Sequence, residues 1–283
     1  PYLQAVQPDL ARLAEYLRED ATAILTGAGI STESGIPDYR GPTGTLRNRL
    51  PIRYQEFVKS AETRRRYWAR SAVGYPRLKS ARPNAGHVAV ACLPDLVPVT
   101  GLITQNVDGL HQAAGSRNPV ELHGNLREVI CLSCGAMESR DGYQERLHAL
   151  NRSWTGWDED SWEEAPDGDA RLPEAAAQAF VVPDCRVCGG PTKPNVVFFG
   201  ESVPKARVEE AFAIVRAAGN LLVLGSSLYV FSGFRFARAA HQAGARVVII
   251  TDGKTRADDF ADIKIPAALG DSLEGLAETL QIG

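Results

Sequence analysis

The stretch Ala21–Arg40 reads ATAILTGAGISTESGIPDYR. Its first part, Ala23-Ile24-Leu25, is a short continuous apolar run of the kind that makes a buried strand. Gly27-Ala28-Gly29 follows at once. Two glycines one residue apart behind a strand let the backbone turn sharply and let a bulky group come close. Ser31, Thr32, Glu33 and Ser34 can each cap a helix or bond a ligand, and Pro37-Asp38-Tyr39-Arg40 closes the stretch with a stiff turn and a cation. A strand, a glycine turn and a polar tail suit the phosphates and ribose of a nucleotide. The fingerprint is half complete, because Thr32 stands where G-x-G-x-x-G would place its third glycine. A tight strand-to-helix turn with no ligand fits the same residues equally well.

The same punctuation recurs along the chain. Upstream, Leu10, Leu13, Ala14 and Leu17 lie at helical spacing and predict an amphipathic helix over Asp9–Glu19. Downstream, Pro83-Asn84-Ala85-Gly86-His87 opens a helix through Leu93. A strand-like stretch with Val97, Val99, Leu102 and Ile103 then ends in Thr104-Gln105-Asn106-Val107-Asp108. Val120-Glu121-Leu122-His123-Gly124 repeats that logic, and Pro194–Glu201 returns to a strand. Helices are predicted over Val208–Ala218 and Ser232–Gln242. Leu221–Leu224 runs into Gly225-Ser226-Ser227, and Val247–Ile250 runs into Thr251-Asp252-Gly253. Helices alternating with short continuous apolar strands predict an α/β fold, a parallel sheet covered on both faces. Such a sheet presents its functional groups at the carboxyl ends of its strands. Gln105, Asn106 and Asp108 there can read an amide or cap a helix, and Gly225-Ser226-Ser227 can cradle a phosphate or simply start a helix.

Two blocks break the alternation. Residues 41–80 are polar and Arg-rich, with Tyr54, Phe57, Tyr67 and Trp68 interspersed, and read as a helical excursion in which Arg64-Arg65-Arg66 form a solvated face. The second block opens with Cys131-Leu132-Ser133-Cys134-Gly135 and ends with Cys185-Arg186-Val187-Cys188-Gly189. Each C-x-x-C-Gly lets two thiolates turn onto one ion, so Cys131, Cys134, Cys185 and Cys188 predict one closed, structural zinc site. The 50 residues between the pairs exceed an ordinary zinc-ribbon gap, so the site clips an insertion together. The fifth cysteine, Cys92, is expected in the core of an apolar helix face.

Composition narrows the class. The chain has 283 residues, 44% of them hydrophobic and 23% charged, as expected of a globular protein with a large domain and a smaller one. A net charge of -3 argues against nucleic-acid binding, and no apolar run is long enough to span a bilayer. Two matched cysteine pairs fit a reducing compartment. Of the five histidines, His87, His111, His148 and His241 default to structural roles. His123 ends a strand beside a glycine, where an imidazole can act as a base near neutral pH.

Taken together, Gly27-Ala28-Gly29-Ile30-Ser31, Ile36-Pro37-Asp38-Tyr39-Arg40, Thr104-Gln105-Asn106-Val107-Asp108, Leu122-His123-Gly124, the two cysteine pairs, Val196-Val197-Phe198-Phe199-Gly200-Glu201 and Gly225-Ser226-Ser227-Leu228 resemble the sirtuin family, in order and across nearly the whole chain. Arg66–Arg70, Ala165–Asp169 and Thr255–Asp259 resemble its class II branch.

The resemblance implies a Rossmann-type NAD-binding domain over residues 1–40, 81–125 and 195–283. A small domain would come from a helical insertion, 41–80, and a zinc-binding insertion, 126–194. It implies that the acyl oxygen of an acylated lysine on a protein substrate attacks the nicotinamide ribose of NAD, nicotinamide leaves, and the acyl group ends on ADP-ribose. Asn106 and Asp108 would line the nicotinamide pocket, Gln105 would hold ribose, and His123 would activate a ribose hydroxyl. Gly27, Ala28, Gly29, Thr32, Glu33, Pro37, Asp38, Tyr39, Arg40, Val107, Gly225, Ser226, Ser227, Thr251, Asp252, Gly253 and Leu269 would complete the NAD site. Val196, Val197, Phe198 and Phe199 would pair with substrate backbone as an added strand. Thr251 departs from the asparagine frequent at its position, which puts that ribose contact in doubt. Alternatives are transfer of ADP-ribose to protein, removal of lipoyl or long-chain acyl groups, or an NAD-binding regulator without turnover. The expected setting is a monomer in the bacterial cytoplasm, or the mitochondrial matrix for a eukaryotic chain.

Overall fold

The computed structural model describes residues 2–38, 52–157 and 174–282. The strands, in chain order, are β1 (Thr22–Thr26), β2 (Val99–Thr104), β3 (Val120–Glu121), β4 (Gly124–Cys131), β5 (Met137–Ser139), β6 (Thr192–Val196), β7 (Asn220–Leu224), β8 (Arg246–Ile250) and β9 (Ile263–Ile265). Among the described residues, six of them form one sheet in the order β3-β2-β1-β7-β8-β9, every pair parallel. Along the chain that order is 3-2-1-4-5-6, the doubly wound arrangement whose two halves diverge between β1 and β7. The registers set Thr104, Thr26, Leu224 and Ile250 in one row, so the segments that follow them emerge on one rim.

The helices are α1 (Tyr2–Glu19), α2 (Tyr54–Lys59), α3 (Ala61–Ser80), α4 (Ala85–Leu96), α5 (Leu110–Ala113), α6 (Arg140–Leu150), α7 (Glu174–Gln178), α8 (Lys205–Arg216), α9 (Phe231–Gln242) and α10 (Leu269–Ile282). Successive β1 side chains alternate between the two faces of the sheet. Ile24 packs with Leu13 and Leu17 of α1 and Leu273 and Leu276 of α10. Ala23 and Leu25 pack with Val215 of α8 and Phe236 and Ala240 of α9. Both faces are covered, which is why β1 reads as an unbroken apolar run.

A second, antiparallel sheet, β5-β4-β6, carries the cysteines. It shares one core with the helical insertion, in which Phe57, Trp68, Tyr143, Leu147, Val196 and Phe198 pack together. Trp68 is fully buried, lies 4.5 Å from the Tyr143 ring, and donates Nε1–H to the Thr192 carbonyl at 3.2 Å. The two sheets meet at His123-Gly124, where β3 passes almost directly into β4. Gly124 has φ +81, and a Cβ there would land on the Asn195 carbonyl oxygen, so only glycine fits the crossing.

Several expectations change. α1 begins at Tyr2, ahead of the expected Asp9, because Pro8 sits inside the helix and removes one N–H bond without ending it. Arg64 and Arg65 do not form a solvated face. Arg64 Nη1 donates to the carbonyls of Phe57 (2.9 Å) and Val58 (2.8 Å), and Arg65 Nη1 donates to that of Gln178 (3.1 Å), tying α3 to α2 and α7. Cys92 is exposed, since α4 turns Val90 and Leu93 inward and Cys92 away from them. Gly225-Ser226-Ser227 is a loop; its helix, α9, starts only at Phe231. Tyr39 and Arg40 lie outside the described residues, as do 41–51 and 158–173. No helix among the described residues is long and apolar enough to cross a membrane.

Candidate active site

The rim is built strand by strand. After β1, Ala28–Ser34 winds into a 3₁₀ turn pressed against the loop after β7. Gly27 N–H donates to the Leu224 carbonyl (3.0 Å) and Gly29 N–H to that of Gly225 (2.8 Å). Gly225 has φ +60, and a Cβ on it would sit 2.5 Å from the Ile30 nitrogen. The glycines that looked like a phosphate fingerprint therefore also let two loops close on each other, backbone to backbone, at the point where the sheet's halves diverge. That crevice, outside the carboxyl ends of the strands, is where open α/β sheets take ligands.

After β2, Asn106 is nearly buried and its Nδ2 donates to the Gly27 carbonyl (3.1 Å) and to Ser31 Oγ (3.0 Å). Ser31 Oγ–H donates to Asp108 Oδ2 at 2.7 Å, while Asp108 Oδ1 accepts the Leu110 N–H at the start of α5 (2.9 Å). Asp108 thus serves as helix cap and rim carboxylate together. Gln105 Nε2 donates to Ser226 Oγ (2.8 Å), linking β2 to the β7 loop across β1. Val107 accepts the Leu126 N–H at 2.9 Å, tying this loop to β4.

Beneath this polar layer lie His87 and His111, their rings 5.0 Å apart. His87 closes a capping box with Asn84, and His111 Nε2 meets Thr26 Oγ1 at 2.9 Å. Burial pushes both imidazoles down, His111 to about 3, so both are neutral and serve as a floor.

His123 differs from them in position. Its Nδ1 lies 2.9 Å from the Gln105 carbonyl oxygen and its Nε2 2.7 Å from Ser232 Oγ on α9. Burial pushes it down to about 4 against the upward pull of the Gln105 carbonyl, and the Arg235 and Arg207 charges add to the lowering. At pH 7 it is a neutral imidazole with a lone pair, the form a base requires.

The segment after β6 is bonded to His123 directly: Val197 N–H donates to the His123 carbonyl at 2.8 Å. Its side chains alternate. Val196 and Phe198 point into the small core, with Phe198 5.0 Å from Phe57 and 5.2 Å from Tyr67, while Phe199 is exposed. Glu201 Oε2 accepts the Phe198 N–H (2.8 Å) and pairs with buried Lys193 Nζ (3.0 Å), which also donates to the Val196 carbonyl.

The remaining expected residues are spread around the rim. Thr32 Oγ1 donates to the Gly29 carbonyl (2.9 Å), and Glu33 Oε1 accepts the Gly270 N–H at the start of α10 (3.1 Å). The Leu269 side chain packs in the core with Ile30. Ser227 accepts the Arg256 N–H (2.9 Å) and Thr251 N–H donates to Ile265 (3.1 Å), with Asp252 exposed beside it. Pro37 and Asp38 stand at the far end of the described loop.

In the second sheet the Sγ atoms of Cys131, Cys134, Cys185 and Cys188 all lie within 4.8 Å of one another. Cys131–Cys188 is 3.5 Å and Cys134–Cys185 is 3.8 Å. A tetrahedron of bonds of ~2.3 Å has edges of ~3.8 Å, so the four sulfurs fit zinc. The knuckles match: Ser133 N–H points to Cys131 Sγ and Val187 N–H to Cys185 Sγ, each at 3.4 Å. Backbone N–H groups of Cys134 and Ser133 draw the Cys131 thiol down to about 6, while the Cys134 and Cys131 sulfurs beside it push Cys188 up, as expected of thiols crowded on one centre.

Sequence reasoning passed over two contributors, Ser232 and Lys193, and gave two others, Ser31 and Tyr67, no partners. Ser31 is the hub of the β2 contacts, Ser232 holds His123, Lys193 secures the β6 segment, and Tyr67, one turn from Arg70 on α3, packs on Phe198. A serine in the first turn of a helix or an aromatic in an Arg-rich helix carries no signal of its own. Only the packing gives them partners.

Comparison with known proteins shows what the chain as a whole is similar to. A model of the Sir2 family matches residues 27–232. An NAD-dependent protein deacetylase 1 of Streptomyces coelicolor is 50% identical over 272 residues, 96% of this chain and 90% of its own. The NAD-dependent protein lipoamidase sirtuin-4, mitochondrial, of Bos taurus is 46% identical, over 88% of this chain and 79% of its own. A solved structure of Sir2 with a p53 peptide and NAD+ superposes with a TM-score of 0.74 at 31% identity, covering 98% of both chains. The chain belongs to the Sir2 family, the sirtuins.

Proposed function

We infer that this chain is an NAD-dependent protein-lysine deacylase, using NAD as co-substrate and one structural zinc. The observation that carries the reading is the backbone hydrogen bond from Val197 to His123, which sets the segment after β6 beside the residue whose neutral imidazole stands on the strand-end rim. NAD supplies an ADP-ribosyl group that becomes electrophilic as nicotinamide departs. The crevice formed by Gly27–Gly29, Gln105 and Gly225–Ser227 is the place for its dinucleotide, with Thr251–Gly253 at the outer end. Asn106 and Asp108, fixed through Ser31, orient the carboxamide end. His123 Nε2 accepts the proton of a ribose hydroxyl. Val197 and Phe199 face the acylated peptide, which adds as a strand beside them.

Residues 1–40, 81–125 and 195–283 form the NAD-binding domain, and 41–80 with 126–194 form the small domain. The protein acts as a monomer on acylated proteins in the cytoplasm, without nucleic-acid or membrane binding. Incubation with NAD and a panel of acetyl-, succinyl-, lipoyl- and long-chain acyl-lysine peptides tests the activity. Peptide-dependent nicotinamide release with formation of O-acyl-ADP-ribose is expected. Label on protein instead would make it an ADP-ribosyltransferase, and no release across the panel would overturn turnover altogether. The lipoyl arm matters because a relative as similar as the bovine protein bears the lipoamidase name.

A further inference from the structure

His123 reaches two partners, and they are not equivalent. The Gln105 carbonyl can only accept, so Nδ1 carries the ring proton and Nε2 is left with its lone pair. At 2.7 Å, the Ser232 hydroxyl must then donate into that lone pair. Ser232 stands in the first turn of α9, half-buried, and its carbonyl accepts Arg235 Nε–H at 3.1 Å, so its backbone is held independently of the imidazole. The lone pair needed to take a proton from a sugar hydroxyl is therefore already occupied by a hydroxyl of the protein.

We propose that Ser232 is a positioning residue whose hydroxyl stands in for the ribose hydroxyl: in the free protein it occupies the Nε2 lone pair and holds the ring orientation of His123 in the tautomer that the Gln105 carbonyl sets, and on NAD binding it yields that lone pair. This rests on the base role assigned to His123 above. The exchange replaces one O–H···N bond by another, so it costs little free energy. The charged groups acting on the imidazole are Arg235 on α9 and Arg207 on α8, both of which favour its neutral form, as does the Ser232 hydrogen bond. Removing the hydroxyl leaves both arginines in place and takes away only the hydrogen bond.

The test uses the full chain with zinc bound and compares wild type with Ser232→Ala and Ser232→Thr, which keeps a hydroxyl. First, the His123 ring is titrated by nitrogen-15 NMR without NAD, its signal assigned by its loss in His123→Ala. A lost bond of ~1 kcal/mol corresponds to an upward shift of about 0.7 pH unit in Ser232→Ala. Ser232→Thr restores the wild-type value, and NAD added to wild type replaces the serine bond without returning the ring to the Ala-variant signal. Second, the acid limb of kcat/KM for NAD, which reports the free protein, moves up by the same amount in Ser232→Ala. The limb of kcat, which reports the complex in which the ribose has taken over, stays in place. An unmoved NMR titration overturns the Ser232 contact, and two limbs that move together overturn the exchange. A shifted titration alongside a His123→Ala variant that still turns over would instead refute the base assignment and leave the contact standing.

Discussion

The strand-end rim and the cysteine cluster hold atoms in place by opposite means. The cluster draws four sulfurs from two short knuckles and closes on a single ion. The rim draws one to three side chains from behind each of β1, β2, β3 and β7 and from α9 and links them by hydrogen bonds of 2.7–3.1 Å, such as Ser31–Asp108 and Asn106–Gly27. The first is stable because one strong centre satisfies every ligand. The second is stable because the parallel register beneath it allows no other arrangement. The dinucleotide site proposed for the rim, which must release product and accept a new ligand, needs the second kind, and a site that only staples an insertion is served by the first.

The contrast can be broken or sharpened in turn, starting with its strongest element. Cys131→Ser should lose the zinc and with it an apparent binding free energy on the order of 10 kcal/mol. Amide exchange should then rise in β4 and β6 while β1 and β7 stay protected; equal loss of protection in both sheets would show that the staple supports the whole molecule. His123→Ala should lower turnover by about 10²–10⁴-fold, as expected for a general base, with NAD affinity by calorimetry changed only a few-fold. Near-normal turnover would remove His123 from the chemistry.

Lys193→Ala strands Glu201 next to a buried core. It should cost about 3 kcal/mol in denaturant unfolding and raise KM for peptide more than KM for NAD, because Glu201 then loses its hold on Phe198. The smallest effect is in pH. His111 and His123 are held at about 3 and about 4 in the fold, below the ~6.5 of an unfolded histidine, so the unfolded chain takes up protons that the native one refuses. Their contribution to stability is complete above pH ~6.5 and declines as pH falls below it. Tm should drop from pH 7 to pH 5, and His111→Asn should flatten that drop; parallel curves would assign it to other groups.

How far the sequence speaks differs between the two regions for the same reason. The zinc site is local, so two C-x-x-C-Gly words suffice to predict it. The rim is not local. Its strands and glycine turns were legible as patterns, but that Gly29 would press on Gly225, or that Gln105 would reach Ser226 across β1, depends on strand order, which no periodicity encodes. The resemblance of ordered motifs supplied the common function that spacing alone could not. Arg64 was misread because an arginine run looks solvated whether or not its guanidinium closes the end of a neighbouring helix, and Cys92 because an apolar composition does not say which side of α4 faces out.

The joint at His123-Gly124 has a consequence for transplanting the small domain. Because Gly124 lies under the Asn195 carbonyl and the Val197 N–H is bonded to the His123 carbonyl, the strands that lead into and out of the small sheet are sutured to each other where the chain leaves the large one. A chimera that exchanges the zinc module for that of a relative would be decided at these sutures: a graft ending outside them keeps the imidazole in register, and one cut between them misplaces it even when both halves fold.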